Sequence, residues 1–131
     1  MKIDPFKISY PKQRILEIKE KVEMFPWHEM PKEGGWSFGT NIDYMKNLAD
    51  YWTKKYDWET EELRLNQQPN YKTKVDDIDI HFIFKKSSSP KAIPLILIHG
   101  WPGSIVEFLN IIDPLCEPEK YGNDNKVCFD I

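Results

Sequence analysis

Leu95-Ile96-Leu97-Ile98-His99-Gly100-Trp101-Pro102-Gly103-Ser104 is the stretch that decides the fold of this 131-residue chain. Four consecutive apolar residues fit a strand buried on both faces, as in a parallel sheet. A loop with two glycines and a proline follows at once. After Ser104, residues Ile105, Phe108, Leu109 and Ile112 recur at helical spacing before Pro114. Strand, tight loop and helix form the unit from which α/β folds are built. Val127 to Ile131 reads as the next strand, so the roughly 40 residues from Ala92 onward suffice for one βαβ unit. A lone unit leaves a sheet edge and an apolar face in water. The expectation is therefore an α/β chain that is the truncated front part of a longer protein. Its open edge would also permit pairing into a homo-oligomer.

Upstream of Ala92 the patterning differs. Pro11 suits a first helical turn with Ser9 as its cap, and Ile15, Ile18 and Val22 give one apolar face that Pro26 ends. A loop over 24–41, rich in Pro, Gly and Trp, is too aromatic for a free linker. Thr40 or Asn41 caps a second helix whose stripe is Ile42, Met45, Leu48, Ala49, Trp52 and Tyr56. Asp57 opens a short third helix, and Glu59, Glu61 and Glu62 complement its dipole. From Tyr71 the period becomes two. Tyr71, Thr73 and Val75 form a strand, Asp76-Asp77 a turn, and Ile78, Ile80, Phe82 and Phe84 a second strand. The boundary falls between residues 91 and 92: a helical meander with a β-hairpin over 1–91, and the start of an α/β core over 92–131.

Composition excludes several classes. Hydrophobic residues make up 40% and charged residues 30%, the balance of a globular protein rather than a disordered one. The 18 Lys and Arg are dispersed among 21 Asp and Glu, so no basic stripe awaits nucleic acid. No apolar run reaches the ~20 residues of a membrane span, and no h-region of a secretory signal precedes the first helix. Two cysteines, Cys116 and Cys128, with only His28, His81 and His99, supply neither a disulfide framework nor a metal site. The expectation is a soluble intracellular protein that takes no cofactor or metal.

The candidate chemistry sits in His99, Gly100, Trp101, Pro102 and Gly103. In α/β-hydrolases the loop at this place donates one backbone N–H to an oxyanion hole. A mere tight turn, which Gly and Pro also favour, is the other reading of the same residues. Ser104 lies outside a G-x-S-x-G frame and reads as a helix cap rather than a nucleophile. His99 has no acid or nucleophile at suggestive spacing, and His28 and His81 read as surface or packing residues.

A wider set of motifs narrows the choice. Trp52, Asp57-Trp58, Leu65-Asn66, Pro69, Thr73, Ile80-His81-Phe82, Ala92, Pro94-Leu95 and HGWPGS with Glu107-Phe108 run in order along the chain. Together they resemble the N-terminal region of microsomal-type and juvenile-hormone-type epoxide hydrolases, from Phe6 to the last strand. One position departs: Asp77 stands where that family usually has Gly, and Asp tolerates positive φ better than most residues. The resemblance implies an α/β-hydrolase fold whose N-terminal meander and hairpin lead into the first core strands. It implies conversion of epoxides to vicinal diols through an Asp-ester intermediate, hydrolysed by a His-activated water. In this chain it assigns Trp101 the oxyanion-binding backbone N–H, with His99, Gly100, Pro102 and Gly103 shaping the loop. The nucleophile, its acid partner, the catalytic His and the lid tyrosines lie further along the family's sequence. The isolated chain is therefore expected to be inactive. The alternative is a non-catalytic binding or dimerisation module derived from that family, and a third is ester hydrolysis on the same fold.

Overall fold

The computed structural model describes residues 2–29, 31, 35–123 and 127–131. Contacts divide these into two units, one of residues up to 8 together with 62–131, the other of residues 9–61. Positions 30 and 32–34 of the aromatic loop lie outside the described residues.

In the 9–61 unit, α1 spans Lys12–Glu23 and α2 spans Ile42–Lys54. Ser9 is not the cap of α1. Pro11 occupies that position with no side-chain hydrogen bond, because its fixed φ suits the helix entry by itself. Asn41 caps α2, its Oδ1 accepting from the N–H groups of Asp43 and Tyr44 at 2.9 and 3.0 Å. The stripe of α2 is not fully buried as its periodicity suggests. Thr53 is its one buried residue, and Leu48 and Trp52 stay exposed between two apolar clefts shared with α1. A third helix, α3, covers Trp58–Leu65. Asp57 starts it, accepting from Glu59 N–H at 3.0 Å and from the Thr60 hydroxyl at 2.6 Å.

The other unit is built on strands. A strand the sequence pattern does not signal, β1 (Ile3–Pro5), pairs antiparallel with β2 (Asn70–Val75), which pairs antiparallel with β3 (Ile78–Ile83). Val75 opposes Ile78, so Asp76 and Asp77 form a two-residue turn. Both have positive φ, 46° and 65°, the backbone that a twisted hairpin of this length requires.

Strand β4 (Ile93–Pro94) runs parallel to β5 (Phe129–Asp130). Between them lie a 3-10 turn at Ile105–Phe108, α4 (Leu109–Cys116) and a second 3-10 turn at Pro118–Tyr121. Helix α4 does not stop before Pro114 but continues through it. Proline there removes one helical hydrogen bond, while Ile112 (2% exposed) and Cys116 on either side are buried and keep the helix in place. The two small sheets join through a reciprocal pair: Lys85 N–H donates to Ile131 O at 2.6 Å, and Ile131 N–H to Lys85 O at 2.9 Å. Strand β5 therefore lies between β3 and β4.

The run Leu95 to Ile98 corrects one expectation. It is not buried on both faces: Leu95 and Leu97 are half-buried, whereas Ile96 and Ile98 are 82% and 84% exposed. Beyond Leu95 the run has no ladder partner among the described residues. Among the described residues, no helix is long and apolar enough to cross a membrane.

Candidate functional site

The loop His99–Ser104 is carried at the C-terminal end of β4 and held from both sides. Before it, Ile93 N–H and Leu95 N–H donate to Cys128 O and Asp130 O on β5, at 3.0 and 2.8 Å. After it, the buried Leu109 and Ile112 anchor α4 against the sheet. A further tie crosses beneath: the Lys85 ammonium pairs with the Asp113 carboxylate, and the Cys116 thiol contacts Lys85 O at 3.7 Å. Lys85 thus links the end of β3, the end of β5 and the middle of α4. The signal for that link was Asp113, the one charged residue of α4, which the sequence pattern alone did not pair with Lys85.

Within the loop, Gly103 N–H donates to Gly100 O at 2.7 Å and closes a tight turn around Trp101 and Pro102. The bond joining those two residues is cis. Ser104 is extended and its hydroxyl oxygen accepts from Val106 N–H at 3.3 Å, which makes it a cap. Glu107 folds back over the turn. A methyl group on Gly103 would lie 1.8 Å from Glu107 Oε1 and 2.9 Å from Gly100 O, so only glycine fits there. Glu107 stands in the quoted motif, yet its contact with Gly103 becomes visible only in three dimensions, one helical turn apart.

Trp101 is 97% exposed, and among the described residues its backbone N–H makes no hydrogen bond. The His99 ring makes a hydrogen bond with Gly100 O at 3.4 Å, and among the described residues no ion pair involves a histidine. What this arrangement can do chemically is limited and specific. It presents the unpaired backbone N–H of Trp101 on a closed turn, and the N–H groups of His99, Gly100 and Ser104 beside it likewise make no hydrogen bond among the described residues; such donors can receive developing negative charge.

The remaining titratable groups serve other ends. Burial pushes the Cys116 thiol above its ordinary pKa, against the opposing pull of the Lys85 ammonium, so it stays a neutral thiol. The His81 ring has partners of its own outside the loop. Its Nε2–H donates to Asn70 Oδ1 at 2.9 Å, because both amide hydrogens of Asn70 go to Leu65 O and Gln68 O. The ring packs edge-on against Phe6, and burial lowers its pKa, helped by Lys72. No group of three His, Cys, Asp or Glu positioned for a metal occurs among the described residues.

The chain as a whole is similar to proteins of one family. Residues 3–108 match the family model described as epoxide hydrolase N terminus. A putative epoxide hydrolase of Stigmatella aurantiaca is 36% identical over 98% of this chain and 29% of its own length. Juvenile hormone epoxide hydrolase 1 of Ctenocephalides felis is 38% identical over 88% of this chain and 26% of its own. Among solved structures, the Aspergillus niger epoxide hydrolase superimposes with a TM-score of 0.84 at 28% identity. It covers 99% of this chain and 34% of that one. The juvenile hormone epoxide hydrolase of Bombyx mori gives 0.85 at 32% identity, with the same coverage. The chain thus spans under a third of the length of the curated relatives it matches. Its helices and small sheets have the fold of the opening portion of α/β-hydrolase epoxide hydrolases. With more than three quarters of its residues inside the matched model, the chain belongs to the epoxide hydrolase N-terminus family.

Proposed function

We propose that this chain is the N-terminal part of an epoxide hydrolase and that its loop supplies one oxyanion donor, the backbone N–H of Trp101. In that reading residues 1–91 are the family's N-terminal region and residues 92–131 open the hydrolase core. An Asp carboxylate from outside these residues opens the epoxide ring, leaving an alkyl-enzyme ester. Water then attacks the ester carbonyl, whose oxygen gains negative charge in the tetrahedral intermediate. The N–H of Trp101 bonds that oxygen. His99, Gly100, Pro102 and Gly103 hold the turn that aims it. The observation carrying this reading is the exposed, unbonded Trp101 N–H on a turn closed by Gly103 at the end of a parallel strand.

Step-resolved kinetics test it in a protein that carries this sequence with the rest of the hydrolase. Trp101→Phe leaves the backbone donor in place and should largely preserve turnover. Gly103→Ala drives a methyl into the Glu107 carboxylate and the Gly100 carbonyl and turns the donor away. Ester hydrolysis should then slow by about 10²–10³-fold, the cost of losing one oxyanion donor, while the single-turnover alkylation burst changes less. Slowed alkylation with unaltered ester hydrolysis would show that the loop serves some other purpose.

A further inference from the structure

Gly103 is a glycine for a reason other than backbone freedom. Its φ lies outside the left-handed range in which Gly35, Gly39 and Gly122 sit, so φ is not what demands glycine there. What a side chain would lack is room. Its place is taken by two groups, the carbonyl of Gly100 and the carboxylate of Glu107. The first belongs to the turn and closes it, accepting from Gly103 N–H at 2.7 Å. The second comes from the element that follows the loop.

The backbone after the loop delivers Glu107 to that place. Ser104 Oγ accepts from Val106 N–H at 3.3 Å and Ser104 O accepts from Glu107 N–H at 3.1 Å, which fixes the 3-10 turn at its start. In such a turn the side chains three residues apart eclipse, so Glu107 stands over Ser104. Helical side chains lean towards the N-terminus, which carries the carboxylate one residue further back, onto Gly103. Among the described residues that carboxylate forms no ion pair, so packing against the turn, and not a cation, places it. The turn has little bulk of its own to keep its shape: Gly100 and Gly103 bring no side chain, and Trp101 and Pro102 are exposed.

We propose that Glu107 is a positioning residue for this loop. Its carboxylate fills the space that glycine leaves at 103 and so holds the Gly100–Gly103 turn in the orientation that aims the Trp101 N–H. Hydrogen bonds weaken steeply off axis, so a turn free to tilt would lose its donor for part of the time. Glu107 acts through reach and bulk rather than charge, since a negative charge beside an oxyanion site opposes the charge that develops there. Its effect on the reaction rests on the donor role proposed for Trp101, whereas the bracing of the turn does not. Three variants separate these properties. Glu107→Gln keeps the reach and loses the charge, Glu107→Asp keeps the charge and falls one methylene short, and Glu107→Ala loses both.

The test uses a protein that carries this sequence with the rest of the hydrolase, and it reads two quantities. Hydrogen exchange at the Gly103 amide, the donor that closes the turn, should quicken by about tenfold in Glu107→Ala and Glu107→Asp and stay unchanged in Glu107→Gln. Ester hydrolysis should slow by about tenfold in the same two variants, part of the ~10²–10³-fold cost of losing the whole donor. The alkylation burst should keep its amplitude throughout, which also shows that the variants are folded. Unchanged exchange at Gly103 in Glu107→Ala overturns the brace, whatever Trp101 does. A slowed Glu107→Gln beside an intact Glu107→Asp overturns it in favour of a role for charge. Quickened exchange with ester hydrolysis at the unsubstituted rate overturns the positioning role. Gly103→Ala then separates the two failures: if it slows ester hydrolysis the reading of Trp101 stands, and if it does not, that reading falls as well.

Discussion

Asn70 shows what a single side chain can hold together. At 5% exposure it donates to the carbonyls of Leu65 and Gln68 and accepts from His81, so it ties the end of α3 to two strands. Asn70→Ala strands those partners and should cost about 3 kcal/mol, read as a shift in the urea midpoint. His81 adds a pH dependence. Its pKa is lowered in the fold from the ordinary 6.5, so the unfolded chain binds the proton more readily. The linked stability is present above pH 6.5 and is lost as pH falls from there towards the folded-state value. Urea midpoints at pH 8, 6.5 and 5.5 should fall in that order, and His81→Gln should flatten this slope. An equal slope in the variant would place the titration elsewhere. At this scale the sequence was only partly legible. Trp101 and Gly103 stand in a recognisable motif, whereas Asn70 and His81 are eleven residues apart and meet only because β2 and β3 pair. Lys85 and Asp113 escape pattern reading for the same reason: nothing local relates a strand end to a residue 28 positions later.

Elements were more legible where their signal is periodic or chemical. Asn41 as a cap, the alternation through β2 and β3, and the turn at Asp76-Asp77 follow from local rules. Three features did not. Strand β1 has three residues and ends in proline, too short for any period to register, and its pairing with β2 comes from tertiary contact. Pro114 usually ends helices, but the burial of Ile112 and Cys116 overrides that tendency. The run Leu95–Ile98 carries the composition of a doubly buried strand, yet only its odd-numbered face is covered here. The hairpin turn offers a direct test of the local rules. Asp77 is left-handed at φ 65°, a conformation that glycine adopts without steric cost. Asp77→Gly should therefore stabilise the chain by about 0.5–1 kcal/mol, seen as a raised thermal midpoint. A lowered midpoint would mean that the Asp77 side chain makes a compensating contact.

At the scale of the whole molecule, the strand order around β5 sets where the loop sits. The chain returns to place β5 between β3 and β4, and the loop after β4 then emerges at the strands' C-terminal end. That placement gives the Trp101 N–H its position, but among the described residues no carboxylate is paired with an imidazole beside it. One oxyanion donor lowers a barrier by about 3 kcal/mol, and it cannot replace the nucleophile that forms the ester. In the proposed reading these 131 residues provide the donor and not the reacting groups. Incubating the purified chain with styrene oxide and quantifying the diol tests this directly. Diol should form at the rate of buffer alone. Diol formation above that rate, abolished by substituting a residue within the chain, would contradict it.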